Sequence, residues 1–153
     1  MNEPTILVLH GPNLNLFGRR EPHIYGTTTL VQINERLTSL AAELGVRLEI
    51  FQSNHEGALV DKLHEQIDLA AGALLNPAGL TQHGVSLHDA IKAMPFPVLE
   101  IHMSNIAARE PWRQHSIISP AVKATIQGLG WRSYTAGLRA LAEIVRETAS
   151  GQR

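Results

Sequence analysis

Cysteine is missing altogether from the 153 residues. That excludes disulfides, thiolate metal sites and thiol nucleophiles, and it suits a reducing compartment. Long apolar runs are missing too. The longest, such as residues 6–9, fall far short of the roughly 20 residues a bilayer span needs. Positive charge is in no excess, with 13 Lys and Arg against 14 Asp and Glu and a net charge of −1, so nothing stands ready to neutralise a nucleic-acid backbone. No G-x-x-x-x-G-K-[ST] occurs, and no G-x-G-x-x-G follows the first strand-like run, which speaks against a phosphate cradle. No repeat, linker or low-complexity tract interrupts the chain. Met1-Asn2-Glu3-Pro4 leads straight into strand-like residues, so no signal peptide is expected. These absences lead us to expect a cytoplasmic protein that meets neither membrane nor nucleic acid.

What is present is apolar residue in quantity, 44% of the chain, enough for a proper core. The length suits a single domain, 1–153. Short apolar runs bounded by Gly or Pro predict strands over residues 5–10, 46–51, 72–75, 98–102 and 124–129. Helical periods alternate with them. Leu30, Ile33, Leu37, Leu40, Ala41 and Leu44 form one face, with Thr29 and Gln32 as a capping box and Gly45 as the stop. Leu59, Val60, Leu63 and Ile67 give a second helix, and Leu87, Ala90, Ile91 and Met94 a third that Pro95 ends. Tyr134, Leu138, Leu141 and Val145 give the last, with Ser133 as its N-cap. Strand–helix alternation predicts an α/β three-layer fold. Its parallel sheet has five strands in the flavodoxin-like order 2-1-3-4-5, with helices on both faces. In such sheets ligands bind beyond the carboxyl ends of the strands, at the switch point.

Polar residues gather where that rule expects them. After strand one, residues 11–26 form a connection about three times the usual length, as functional lids often are. It carries Asn13, Arg19, Arg20 and Tyr25, with glycines at both ends as hinges. Strand three leads into Asn76, Thr81, Gln82 and His83. Strand four ends in Glu100-Ile-His102-Met103-Ser104, followed by Arg109 and Arg113. Glu100 and His102 project to the same side. Each group also has a plainer account. The lid reads equally as a surface loop with a solvated arginine pair and a packed tyrosine. His102 reads as a satisfied polar group at a strand end. Residues 109–113 read as a solvated turn anchored by Trp112. The eight histidines offer no pair at metal-ligand spacing, so no metal is expected.

Taken together, the motifs resemble a known family. Gly11-Pro-Asn-Leu-Asn-Leu-Phe-Gly18, Arg20-Glu-Pro and Tyr25-Gly26 resemble the signature loop of type II 3-dehydroquinate dehydratases. Gln52-Ser-Asn-His-Glu-Gly57, Asn76-Pro77, Thr81, Asp89-Ala90, Glu100-Ile-His-Met-Ser-Asn105, Ala108-Arg-Glu, Arg113 and His115-Ser116 extend the likeness over nearly the whole chain. The resemblance implies a trans elimination of water from 3-dehydroquinate, giving 3-dehydroshikimate through an enolate, a step of the shikimate route to aromatic amino acids. It implies no cofactor and no Schiff base. It gives Tyr25 the role of base, Arg20 that of its activator, Asn13 a bound water and His102 the proton donation. Asn76, Gln82, Asp89, Met103, Ser104 and Arg113 would hold the substrate, with Glu100, Arg109 and His83 in support. Homo-oligomers are also implied, dodecamers built from trimers in which Asp89 reaches a neighbouring subunit's site.

The chemistry makes its own demands. A base must remove a proton beside a ketone, and the developing enolate must be stabilised. A neutral phenol is a poor base. A guanidinium about 4 Å away favours phenolate by up to roughly 4 kcal/mol at an effective dielectric of about 20, and Arg20 and Arg109 are both candidates. An imine route is less attractive, because Lys62, Lys92 and Lys123 all lie in or beside helical patterns away from the crevice loops. Two departures stand out: Gln82-His83 where the family carries His-Thr, and His88 where an arginine commonly precedes the aspartate. Glutamine exchanges hydrogen bonds but carries no charge, so substrate affinity is what these changes touch. Two rivals remain: a dehydratase of another cyclic hydroxy-acid, and a non-catalytic binding domain of the same fold, for instance one carrying a flavin.

Overall fold

Successive side chains of the first strand go to opposite cores, and that alternation sets the layering. The computed structural model describes residues 2–151; residue 1 and residues 152–153 of the expected domain lie outside the described residues. Strands β1 (Thr5–His10), β2 (Arg47–Gln52), β3 (Ala70–Asn76), β4 (Val98–His102) and β5 (Ala124–Gln127) form one sheet in the order β2-β1-β3-β4-β5. Every neighbouring pair is parallel. The longer helices are α2 (Leu30–Leu44), α3 (Glu56–Glu65), α4 (Val85–Lys92) and α5 (Arg132–Ala149), preceded by the single turn α1 (Pro22–Tyr25). Ile6 and Val8 pack with Ile33 and Leu37 of α2 and Leu138 and Leu141 of α5. Leu7 and Leu9 pack with Leu59 and Leu63 of α3 and Leu87 and Ile91 of α4. Each such aliphatic side chain removed from water stabilises the fold by roughly 1.5–3 kcal/mol. The expected order and three layers are those observed.

Local signals explain most element ends. The Thr29 N–H donates to Gln32 Oε1 (2.9 Å) and the Gln32 N–H to Thr29 Oγ1 (3.2 Å), the reciprocal box expected at the start of α2. Gly45 closes that helix in the left-handed region at φ 70°, a conformation glycine adopts without Cβ strain. Three expectations need correction. Ser133 does not cap α5: the helix has already begun at Arg132, and the Ser133 hydroxyl accepts the Leu129 N–H instead (3.1 Å). Helices α3 and α4 end at Glu65 and Lys92, short of Ile67 and Met94, because the chain turns there to enter β3 and β4. Strand β5 stops at Gln127, since Gly128 turns the chain at φ 91°.

The carboxyl ends of β1, β3 and β4 open onto a common crevice, framed by the turns Leu14–Leu16, Ala78–Gln82 and Ile106–Ala108. Gly11 pins its floor. The Gly11 N–H donates to the Asn76 carbonyl (2.8 Å), and a Cβ at Gly11 would lie 2.7 Å from the Pro77 carbonyl oxygen. The expected hinge at this end is therefore a clamp, since nothing larger than hydrogen fits. Gly26, at the other end, sits at φ 80° with open space around it.

Candidate active site

The three connections expected to carry polar residues meet in one cleft. Leu14, Phe17, Arg20 and Tyr25 reach it from the lid. Asn76, Ala78, Gly79, Thr81 and Gln82 follow β3, and His102, Met103, Ser104, Ile106, Arg109 and Arg113 come from the end of β4 and beyond. Backbone strain is concentrated in the same loops. Among the described residues, the non-glycine residues at positive φ are Asn13, Glu21 and Ala78, all in the lid or directly after β3. A left-handed alanine or glutamate costs on the order of 1 kcal/mol or more, and is held only where the surroundings over-determine it.

Tyr25 stands between two arginines. Arg109 Nη1 donates to the Tyr25 hydroxyl oxygen at 2.8 Å, and also lies 3.4 Å from Ser104 Oγ. The Arg20 guanidinium lies over the ring, 5.1 Å from its centroid, with Nε 3.6 Å from Glu21. The arginine that touches the phenol oxygen is thus Arg109, while Arg20 adds charge over the ring. A cation donating to an oxygen stabilises negative charge there. Phe17 fixes the ring from the lid side, with centroids 5.9 Å apart.

His102 ends β4 almost fully buried, and its Nε2 donates to the wholly buried carboxylate of Glu100. That carboxylate accepts two more hydrogen bonds, from Ser119 Oγ (2.8 Å) and Ser116 Oγ (3.2 Å). Three donors let a buried anion persist beside the imidazole. The same bond fixes which ring nitrogen faces Glu100 and leaves Nδ1 without a protein partner among the described residues. Glu100 itself stays out of the cleft lining and acts on it through His102.

Other expected residues divide clearly. Asn76, Gln82, Met103, Ser104 and Arg113 line the cleft. Gln82 Nε2 donates to the Arg113 carbonyl (3.1 Å), which fixes the amide orientation and leaves Oε1 as its free acceptor. Arg113 Nε donates to Glu110 at 2.6 Å. Among the described residues, two buried side-chain atoms lack a hydrogen-bond partner: Gln82 Oε1 and Arg109 Nε, the latter 4.0 Å from Glu110 Oε1. Both residues line the cleft. Asn13 is exposed and outside the lining; its backbone N–H donates to Asn54 Oδ1 (2.9 Å). His83 is exposed and also outside it. Asp89 is exposed on α4, in a separate hollow with Val85, His88 and His115. Trp112 is no packing anchor: it is 60% exposed and stacks with Arg113, whose guanidinium lies 4.0 Å from its ring.

Sequence reasoning missed several contributors. Ser116, present in a motif but given no role there, and Ser119 hold Glu100 from 16 and 19 residues away, a distance at which no spacing rule applies. Tyr134 reads as part of the apolar face of α5, yet its hydroxyl meets Asn76 (3.0 Å). His10 reads only as a strand end. Among the described residues no three His, Asp or Glu side chains gather as a metal would require, and no lysine lines the cleft. No described helix is long and apolar enough to cross a membrane.

Known proteins resemble the chain over nearly its full length. The family model described as Dehydroquinase class II matches residues 4–142. A 3-dehydroquinate dehydratase of Acaryochloris marina is 51% identical over 141 residues, covering 92% of this chain and 95% of that one. A 3-dehydroquinate dehydratase of Desulforudis audaxviator is also 51% identical, over 140 residues, covering 92% and 93% of the two chains. The crystal structure of a type II dehydroquinase from Propionibacterium acnes superposes with a TM-score of 0.89 at 41% identity, covering 93% of this chain and 98% of that one.

Proposed function

The chain belongs to the class II dehydroquinase family, and from that membership and the geometry of the cleft we propose that it is a 3-dehydroquinate dehydratase. Residues 1–153 act as a single catalytic domain. The reaction is a trans elimination of water from 3-dehydroquinate through an enolate, giving 3-dehydroshikimate on the shikimate route. One observation carries the mechanism. The Tyr25 oxygen accepts a hydrogen bond from Arg109 in the same cleft that His102 lines, with Glu100 behind the imidazole.

Tyr25, as phenolate, removes the proton beside the ketone. Arg109 donates to its oxygen and Arg20 lies over its ring, so the base is built by two cations. A guanidinium that donates directly to the oxygen favours negative charge there through a charge-assisted hydrogen bond. The enolate next forms, and Asn13 holds the water that hydrogen-bonds its oxygen, an assignment that rests on the family resemblance. The C–O bond to the leaving hydroxyl then breaks as His102 delivers a proton and water departs. Glu100 balances the imidazolium before that transfer.

Substrate binding falls to the rest of the lining. Asn76 and the Met103–Ser104 segment take the carboxylate, and Arg113 with Gln82 reads the ring hydroxyls. The cleft wall carries amide, hydroxyl and guanidinium groups together, which suits a ligand that offers both donors and acceptors, as a polyhydroxy acid does. His83 supports this loop from outside the cleft. A lining without lysine favours direct proton abstraction over an imine.

Asp89, exposed and apart from this cleft, fits a residue that completes a neighbouring subunit's site. The assembly we propose is a dodecamer of four trimers, working in the cytoplasm. Addition of 3-dehydroquinate to the purified protein should produce the ultraviolet absorbance of a conjugated enone. A silent spectrum, with faster turnover of another cyclic hydroxy-acid, would transfer the site to that substrate.

A further inference from the structure

Behind the cleft wall runs a buried chain of hydrogen bonds that the reaction itself does not use. It begins at Asn76, which is 4% exposed and lines the cleft. The backbone N–H of Ala78 donates to Asn76 Oδ1 (3.2 Å), and a backbone N–H can only donate. That sets the amide: Oδ1 points to Ala78, and Nδ2 points to the Tyr134 hydroxyl at 3.0 Å. The Tyr134 oxygen therefore accepts from Asn76, and its own hydrogen must go elsewhere. The next polar atom is Nδ1 of His10, at 3.0 Å. For that nitrogen to accept, the imidazole must be neutral with its proton on Nε2. Nε2 meets Asn34 Oδ1 at 2.9 Å, an acceptor, as the chain requires. Four side chains from β3, α5, β1 and α2 thus have one consistent proton order, read outward from a single backbone group.

His10 and Tyr134 are wholly buried, so water cannot substitute for the bond between them. Burial pushes the His10 imidazole down to about 4, against the raising effect of Asn34's hydrogen bond, which keeps it neutral near pH 7. Burial likewise pushes the Tyr134 phenol up, opposed by the bond from Asn76. Asn76 Nδ2 has a second hydrogen, and no protein acceptor takes it among the described residues.

We propose that Tyr134, His10 and Asn34 are positioning residues that lock the Asn76 amide with one N–H presented to the substrate. The inference rests on the reading of Asn76 as a substrate-binding group. Without the Tyr134 hydroxyl the amide keeps only the Ala78 bond to Oδ1 and can twist about it, so its free N–H is no longer held toward the substrate carboxylate. The loss belongs to binding, not to proton transfer, because neither Tyr25 nor His102 touches this chain.

Steady-state kinetics on 3-dehydroquinate with three variants test it, each variant checked for folding by its melting curve. Tyr134→Phe removes only the hydroxyl and should raise KM roughly five- to tenfold while kcat stays within about twofold. Asn34→Ala, far from the cleft, should raise KM in the same sense by roughly threefold. Asn76→Ala should raise KM at least as much as Tyr134→Phe. An unchanged KM in Asn76→Ala removes the substrate-binding reading and this inference with it. A raised KM there beside wild-type KM in both other variants overturns this inference alone. Nitrogen-15 spectra of the imidazoles give a second test that needs no variant: the His10 ring should be the neutral Nε2–H tautomer at pH 7, and an Nδ1–H tautomer contradicts the proton order.

Discussion

Which arginine serves Tyr25 is decided by atoms rather than by motif. Arg20 lies five residues from Tyr25 and is the obvious partner in the sequence, yet its guanidinium lies over the ring face. Arg109, 84 residues away, is the one that donates to the oxygen. A through-ring cation acts weakly on an anion at the oxygen, whereas a direct charge-assisted bond acts at full strength. Arg109→Ala should therefore lower kcat roughly a hundredfold, the cost typical of removing one donor to a reacting oxygen, and Arg20→Ala should lower it less. Matched kcat measurements on the two variants check the order. The candidate residues were legible in the sequence because each belongs to a short motif. Their pairing was not, because it depends on how the loops after β1 and β4 fold toward each other. The same limit hid the roles of Ser116 and Ser119, whose hydroxyls reach Glu100 only once the chain has turned back over it.

Elements were the most readable level, since their signals are local. The capping box at Thr29 and Gln32 and the glycine stop at Gly45 each act within a few residues, and both occur as expected. Thr29→Ala should cost about 1 kcal/mol in urea denaturation, with turnover per folded molecule unaffected; no change in midpoint would mean the box contributes nothing net. Ser133 illustrates how such reasoning fails. A serine before an apolar helical face suggests an N-cap, but α5 gains an earlier start after Gly130 turns the chain at φ 62°. The hydroxyl is then drawn to the Leu129 N–H. Tyr134 was legible as a buried residue from its helical spacing, and its ring is indeed fully buried. Its hydroxyl contact was beyond reach, since it bridges β1, β3 and α5.

At the scale of the whole molecule, strand order followed from strand–helix alternation, and the position of the cleft followed from strand order. His10 is wholly buried at the carboxyl end of β1, and its burial ties stability to pH. Its imidazole titrates at about 4 in the fold against 6.5 unperturbed. Between these values the unfolded chain binds the extra proton and the folded chain does not. Stability is thus fully present above pH 6.5 and declines as pH falls toward 4, by about 3 kcal/mol from this residue. Urea denaturation across that window should show the decline, and His10→Asn, which has no titrating group there, should flatten it by a similar amount. Equal slopes in the two proteins would mean that His10 is not held neutral by burial.

The phenol oxygen that Arg109 contacts is the proposed base. Turnover of 3-dehydroquinate by Tyr25→Phe, followed by enone absorbance, addresses it directly, because the substitution removes that oxygen and leaves the ring packed against Phe17. The expected result is a kcat reduced by roughly a thousandfold or more, within the range for loss of a general base, with a melting temperature close to that of the parent. A Tyr25→Phe protein that turns over at nearly the parent rate would contradict the assignment of the base.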